Sequence, residues 1–138
     1  MGKKERLVTS SAEETRRFFR KFAERLKRGD VVGFIGELGA GKTTAIQAVL
    51  SAFGIRGGES PTFIMVRPYD HVIHVDAYRL NSLREAETTG LSDVLTDHHH
   101  IILVEWADKI RSLLPKDTIW VTMAHRGEDT REIVVEQP

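Results

Sequence analysis

The chain of 138 residues contains no cysteine, and it has no excess of charge, because Lys and Arg total 20 and Asp and Glu also total 20. The first absence excludes disulfide bonds, a thiolate nucleophile and thiolate metal sites. The second means that no overall charge draws the chain to nucleic acid or to a membrane surface. This length has room for one domain with a single core, which we expect to span residues 1–138.

Long apolar runs are also missing. No stretch reaches the roughly 20 apolar residues of a membrane-spanning helix, and the basic start MGKKERLVTS lacks the apolar segment of a secretory signal. From these absences we expect a soluble, cytoplasmic protein without a membrane partner.

A glycine-rich stretch, GELGAGKTT at residues 36–44, matches the pattern G-x-x-x-x-G-K-[ST] of phosphate-binding P-loops. It follows Val31–Ile35, an unbroken apolar run that is typical of a strand buried on both faces. The residues after it carry apolar side chains at helical spacing, at Ile46, Val49, Leu50 and Phe53. Strand, glycine loop and helix form the context in which the pattern binds phosphate, and the alternative is a glycine-rich turn without function.

The residue types of this stretch explain the expected chemistry. Backbone N–H groups of the loop and of the helix N-terminus point at an anion, Lys42 reaches the β- and γ-phosphates, and the Thr43 hydroxyl binds Mg²⁺. The chain has no N-K-x-D tetrapeptide to read guanine, which favours ATP over GTP. The candidate ATP-binding residues are Gly36, Glu37, Leu38, Gly39, Ala40, Gly41, Lys42, Thr43 and Thr44.

A P-loop ATPase needs a further acidic residue near the metal, at the end of a buried strand. Glu105 ends the apolar run IILVE, and Asp76 ends HVIHVD, a weaker run of the same kind. Either acid is otherwise a solvated carboxylate at a strand end. Thr62, in SPTF, follows a glycine-rich segment and is a candidate switch-loop contact to the γ-phosphate or Mg²⁺, although a Pro-Thr turn explains it equally well.

The remaining pattern alternates strands and helices. We predict short strands at residues 6–8, 63–66 and 71–76, a buried strand at 101–104, and a hairpin of TIWVTMA and REIVVE joined by HRGED. We predict one helix that starts after Ser10 or Ser11 and is closed by Gly29, and another at residues 82–89. Together they indicate an α/β fold, a three-layer P-loop NTPase-like domain with a mixed, partly parallel β-sheet.

Four motifs carry a resemblance to a known family. GELGAGKTT, SPTF, HVDAYR at residues 74–79 and LVEW at residues 103–106 occur in the order and rough spacing of the TsaE (YjeE) family. The resemblance extends from the first predicted helix to the final hairpin. The chain has Glu37 where the family often has Asp, a difference from which we infer no change of function.

The resemblance implies an ATPase of tRNA threonylcarbamoyladenosine biosynthesis that uses Mg²⁺ and ATP. Its partner would be the TsaB–TsaD complex, and it would reach tRNA only through that complex, without stable nucleic-acid binding of its own. Thr43 and Glu105 would hold Mg²⁺, and Asp76 would orient or activate the attacking water. The implied catalytic residues are Lys42, Thr62 and Asp76. Further nucleotide contacts are implied at Ser11, Trp106 and Arg131, with ordinary core packing as the alternative for Trp106.

Two other functions stay open at this point. A small-molecule kinase would pass the phosphate to a bound acceptor, although such enzymes usually need a lid and an acceptor pocket that lengthen the chain. A nucleotide-dependent interaction module would hold a state with negligible turnover.

Overall fold

A mixed seven-stranded sheet runs through the part of the chain that the structure, a computed structural model, describes: residues 2–37, 39–55, 66–80 and 82–138, with the backbone alone at residue 83. The strands are β1 (Lys3–Thr9), β2 (Val31–Ile35), β3 (Val66–Tyr69), β4 (Val72–Asp76), β5 (Ile101–Glu105), β6 (Ile119–His125) and β7 (Arg131–Gln137). Their order in the sheet is β1-β7-β6-β2-β5-β4-β3.

The four central strands, β6, β2, β5 and β4, are parallel, whereas β1, β7 and β3 join the sheet antiparallel to their neighbours. Strands β2 and β5 are buried almost throughout, as expected for parallel strands covered on both faces. Because the central strands run in one direction, the loops after β2, β5 and β4 come together at one edge of the sheet.

Helices cover both faces of this sheet. Helices α1 (Ala12–Ala23) and α2 (Lys42–Ala52) share an apolar cluster with Phe34 and Leu103. Helices α3 (Leu83–Thr88) and α4 (Leu91–Leu95) and the 3₁₀ helix Ala107–Leu113 share a second cluster with Ile102 and Val104. Successive strand residues point to opposite faces, so the clusters lie on the two sides of β5. The predicted three-layer α/β fold is confirmed.

Helix α1 is capped at its N-terminus by side-chain hydrogen bonds, and it ends earlier than predicted. The Ser11 hydroxyl accepts a hydrogen bond from the Glu14 N–H, and the Glu14 carboxylate accepts one from the Ser10 N–H, close to the predicted capping box. The helix ends at Ala23 and not at Gly29. The next three N–H groups donate to carbonyls three residues back, a tighter turn than the α-helix, and this turn still buries Leu26.

Several other boundaries differ from prediction. Strand β1 is longer than the predicted residues 6–8. Strand β3 starts at Val66, where the predicted strand ends, and residues 63–65 lie outside the described residues. Strand β4 starts after His71, which follows a turn with Asp70 at φ 50°. Helix α4 and the 3₁₀ helix were not predicted, because segments of five and seven residues are too short for a clear helical period.

The predicted C-terminal hairpin is confirmed. Strands β6 and β7 pair antiparallel from Trp120 with Glu136 to His125 with Arg131. In the described ranges, no helix combines the length and apolar character needed to cross a membrane.

Candidate functional site

The predicted site residues that the structure describes lie at the carboxyl edge of the parallel strands. The P-loop follows β2, and Glu105 at the end of β5 pairs with Phe34 on one side and with Asp76 of β4 on the other. The sheet therefore places the two acidic residues beside each other, with Glu105 nearer to the P-loop. In open α/β sheets, this edge is where ligands bind.

The start of helix α2 is shaped to receive an anion. Its N-cap is Gly41, at φ 100° and ψ 13°, a left-handed conformation that glycine adopts without strain. No side chain of the described residues caps this helix, and its first turn has no acidic residue. The first N–H groups of the helix thus stay available to a phosphate, which the helix dipole also favours.

Gly36 shows why the loop begins with glycine. A Cβ at this position would lie 2.6 Å from the Met123 carbonyl oxygen of β6, closer than real contacts allow. The loop therefore passes directly over the end of the neighbouring strand. Leu38, another predicted ATP-binding residue, lies outside the described residues.

Two adjoining cavities open at this loop. The larger, about 290 Å³, is lined by Glu37, Gly39, Gly41, Lys42, Thr43, Thr44, Glu105, Trp106 and Arg131. The smaller, about 50 Å³, is lined by Ala12, Thr15, Gly41, Thr44, Asp129 and Arg131. Because both are bounded by Gly41, Thr44 and Arg131, the two cavities are neighbours, one at the P-loop and the other between α1 and the hairpin turn.

A third cavity, about 340 Å³, lies at the opposite edge of the sheet. Its lining includes Lys4, Lys116 and Trp120, and it contains none of the predicted site residues. Its larger volume does not outweigh the chemistry at the P-loop, where the predicted residues converge.

Lys42 is a buried cation, with 6% of its surface exposed. Its ammonium donates to the Gly36 carbonyl and lies 3.4 Å from the centroid of the Trp106 ring. Burial lowers the pKa of Lys42, and the negative charges of Glu105, Asp108 and Asp76 oppose that effect. The charge is therefore held at the cavity by a carbonyl and an aromatic ring, contacts that a phosphate can replace.

Trp106 lines the larger cavity and also packs against the second apolar cluster, so the core packing weighed for it is present, and its contact with a nucleotide stays a prediction. Its backbone is left-handed, at φ 57° and ψ 39°, where β5 turns into the 3₁₀ helix. Its ring lies 5.0 Å from the ring of Tyr78, which is 45% exposed. The Lys109 ammonium lies 4.9 Å from the Tyr78 ring. The contacts thus run from Lys42 at the P-loop through two neighbouring rings to Lys109, with a cation at each end.

The two acidic residues have different environments. Glu105 is 5% exposed, and its Oε2 lies 3.0 Å from His74 Nε2. Asp76 accepts a hydrogen bond of 2.9 Å from the Tyr78 N–H. Burial raises the pKa of Asp76, and the charge of Glu105 adds to the increase, while the Tyr78 N–H opposes it. Asp76 is therefore a better proton acceptor than an ordinary carboxylate.

The residues at the cavity fit Mg²⁺. Thr43 and Glu105 line the same cavity. A hydroxyl and a carboxylate both offer oxygen, the ligand type that Mg²⁺ prefers. Within the described ranges, no three His, Asp or Glu side chains are grouped closely enough to form a metal site alone. Mg²⁺ needs only one or two protein ligands where phosphates and water supply the rest.

Some predicted residues lie outside the cavities. Asp76 is beside Glu105 but is not among the described residues that line these two cavities. The Ser11 hydroxyl is engaged in capping α1, while the next residue, Ala12, lines the smaller cavity. The Gly36 carbonyl accepts a hydrogen bond from Lys42, and Ala40, a residue of the loop itself, is buried. Thr62 and the SPTF motif lie outside the described residues.

Several residues at the site were missed from the sequence: His74, Asp129, and the cavity-lining residues Ala12 and Thr15. His74, the partner of Glu105, lies two residues before Asp76, so the period of two in a strand places both on one face and was a usable signal. Asp129, in the turn between β6 and β7, lines the smaller cavity. Nothing in the local pattern distinguishes it from an ordinary turn residue.

Known proteins resemble this chain over most of its length. The family model described as "Threonylcarbamoyl adenosine biosynthesis protein TsaE" matches residues 9–133. The tRNA threonylcarbamoyladenosine biosynthesis protein TsaE of Bacillus subtilis is 35% identical over 130 residues, which cover 91% of this chain and 80% of that protein. The protein of the same name from Streptomyces coelicolor is 37% identical over 123 residues, 83% of this chain and 82% of that one.

A solved structure extends the likeness to the whole fold. The crystal structure of Bacillus subtilis YdiB superposes with a TM-score of 0.78 at 30% sequence identity, covering 99% of this chain and 87% of that chain.

Proposed function

The chain belongs to the TsaE family, named for threonylcarbamoyl adenosine biosynthesis, and we propose that it is a Mg²⁺-dependent ATPase that binds the TsaB–TsaD complex and drives its cycle. Residues 1–138 would form one P-loop ATPase domain that works in the cytoplasm and reaches tRNA through the complex. The observation that carries this proposal is that Lys42, Thr43 and Glu105 all line the same cavity.

The triphosphate of ATP would bind at the start of α2. The N–H groups of its first turn would donate to the phosphate oxygens, and Lys42 would exchange the Gly36 carbonyl and the Trp106 ring for the β- and γ-phosphates. The nucleoside would extend past Thr44 and Arg131 towards the smaller cavity, whose lining includes the acceptor Asp129. The Thr43 hydroxyl and Glu105 would hold Mg²⁺, which offsets phosphate charge when bound.

Asp76 would prepare water for attack on the γ-phosphate. It lies next to Glu105 in the sheet, and its raised pKa suits it to orient the water or to accept its proton. One of its two carboxylate oxygens, Oδ1, accepts a hydrogen bond from the Tyr78 N–H, which orients the side chain. Thr62 remains a proposed γ-phosphate contact.

The TsaB–TsaD partner is proposed from the family resemblance. One kinetic experiment tests both the ATPase activity and its dependence on this partner. Steady-state hydrolysis of ATP with Mg²⁺ is measured for this chain alone and with TsaB–TsaD added. We expect slow turnover alone and faster turnover with the complex. Glu105→Gln should abolish both rates, and Glu87→Gln, an exposed substitution on α3, should leave them unchanged.

Two results would contradict the proposal. Turnover that TsaB–TsaD does not alter would remove the partner part of it. Label from [γ-³²P]ATP that appears on a bound acceptor, and not as free phosphate, would identify a kinase.

A further inference from the structure

His74 is a buried polar residue to which the proposed chemistry assigns no role. Only 2% of its surface is exposed. It lies on β4 opposite Leu103 of β5, on the face that also carries Asp76 and Glu105. Its Nε2 reaches diagonally across the two strands to Glu105 Oε2, at 3.0 Å. A polar pair so far from water is expensive to bury unless its geometry is specific.

The hydrogen bonds of the ring decide which nitrogen carries the proton. An ionised carboxylate only accepts hydrogen bonds, so Nε2 must be the donor to Glu105. Nδ1 has no partner in the described part of the chain. An unpartnered N–H is rarer in folded proteins than an unpartnered acceptor, which also places the proton on Nε2. Glu105 is therefore the polar partner that orients this ring.

We propose that His74 is a positioning residue for Glu105 and, through it, for Mg²⁺ at the P-loop. The Nε2–H holds Oε2, and this leaves Oε1 as the oxygen for the cavity that Thr43 also lines. Without His74, the buried Glu105 carboxylate would either lose its hydrogen bond or turn towards the Lys42 ammonium. The charges of these two groups already attract each other. Partners that orient metal ligands in this way typically contribute about 10- to 100-fold to metal affinity.

Three substitutions separate the hydrogen bond from the mere presence of a side chain. In His74→Gln the amide nitrogen can occupy the place of Nε2 and donate to Glu105. In His74→Asn the amide nitrogen corresponds to Nδ1 and is too short to reach. His74→Leu removes both nitrogens but keeps much of the volume. Urea unfolding of each variant identifies those that are folded. If His74→Leu does not fold, His74→Asn alone represents the loss of the hydrogen bond.

The measurement is the affinity for a fluorescent ATP analogue, first in EDTA and then over a series of Mg²⁺ concentrations. We expect all folded variants to bind as the unsubstituted protein does in EDTA, within about twofold. The Mg²⁺ concentration for the half-maximal gain should rise at least about tenfold in His74→Asn and His74→Leu. His74→Gln should restore it to within about threefold.

A double substitution tests whether the effect passes through Glu105. In a Glu105→Gln background, His74→Asn should produce no further change in Mg²⁺ dependence, since coupled residues are not additive. Independent, multiplying effects would overturn the proposal, as would an unchanged Mg²⁺ midpoint in His74→Asn.

This inference rests on the proposed function, and the same titration distinguishes the two failures. If the unsubstituted protein binds the analogue without any response to Mg²⁺, the proposed magnesium chemistry falls and the role of His74 falls with it. If the unsubstituted protein responds and the His74 variants respond identically, only the role of His74 is wrong.

Discussion

At the scale of single residues, Lys42 shows how the site holds a charge ready for a ligand. Its ammonium is buried against a carbonyl and an indole ring, with three carboxylates contributing to its potential. Neither contact is a formal ion pair, so a phosphate is a stronger partner than either.

Replacing Lys42 by Met should therefore weaken ATP binding while the fold persists. Hydrogen bonds to charged groups contribute about 1.5 to 3 kcal/mol, which corresponds to a loss of affinity of about 10- to 150-fold. Isothermal titration calorimetry with ADP and ATP measures this loss. Lys27→Met, at an exposed position after α1, is the matched control and should bind as the unsubstituted protein does. Equal affinity of both variants would remove Lys42 from the phosphate site.

Replacing Asp76 by Asn should stabilise the fold at neutral pH but slow ATP turnover. Because burial raises its pKa in the folded chain, its contribution to stability is largest below the pKa of the unfolded chain and is lost as pH rises through the folded pKa. At neutral pH the ionised Asp76 thus destabilises the fold. Asp76→Asn should raise the free energy of unfolding at pH 7. It should also abolish the loss of stability that the unsubstituted protein shows as pH rises from the ordinary Asp pKa to the raised pKa of Asp76.

The same substitution should lower ATP turnover about 100-fold or more, the usual effect of removing a general base. Urea unfolding in EDTA across pH 4 to 8 and steady-state kinetics measure the two effects. A variant that is less stable than the unsubstituted protein at pH 7, or one that retains full turnover, would contradict the assignment of Asp76.

At the scale of elements, helix α1 forms one wall of the smaller cavity through Ala12 and Thr15. Two contacts locate its start: the Ser11 cap, and a buried hydrogen bond of 2.6 Å between the hydroxyls of Thr9 and Thr15. The second joins the end of β1 to the first turn of the helix. The Ser11 hydroxyl therefore has a structural role beside the smaller cavity.

Ser11→Ala should lower stability by about 1 kcal/mol, because it removes the side-chain cap. Since the hydroxyl accepts from the Glu14 N–H, affinity for ATP should stay within about twofold. Ser11→Asp, another good cap, should restore the stability. Chemical unfolding and calorimetry measure the two quantities. A large loss of affinity in Ser11→Ala that Ser11→Asp does not repair would favour the direct nucleotide contact implied by the family resemblance.

At the scale of the whole molecule, the proposed ATP site joins distant parts of the chain. Gly41 follows β2, Glu105 ends β5, and Arg131 starts β7, and the sheet order brings all three to one cavity. A ligand bound there contacts elements from most of the sequence. Its binding should therefore stabilise the fold as a unit.

With ATP and Mg²⁺ at about 100 times the dissociation constant, binding should add about 2.7 kcal/mol to the free energy of unfolding. For a chain of this length, that corresponds to a rise in melting temperature of about 9 °C. Differential scanning calorimetry measures the shift, and Lys42→Met at the same concentrations should shift far less. A melting temperature that ATP does not change would contradict the site.

The sequence was sufficient for features that depend on local chemistry. The strand Val31–Ile35 and the helix Lys42–Ala52 flank the P-loop as predicted, because an apolar run, required glycines and helical spacing all lie within 25 residues. The hairpin of β6 and β7 and the family were equally accessible. Short elements without a period, such as α4, and the early end of α1 were not, since packing and not propensity decides them.

What only the tertiary structure decided is which side chains meet. The sequence by itself determined that Glu105 and Asp76 end buried strands, but the strand order made them neighbours and left Glu105 closer to the P-loop. The link between His74 and Glu105, 31 positions apart, and the meeting of Arg131 with Gly41 arise from strand register and hairpin placement. Local pattern specifies an element and its buried face, whereas contacts between elements depend on how all of them pack.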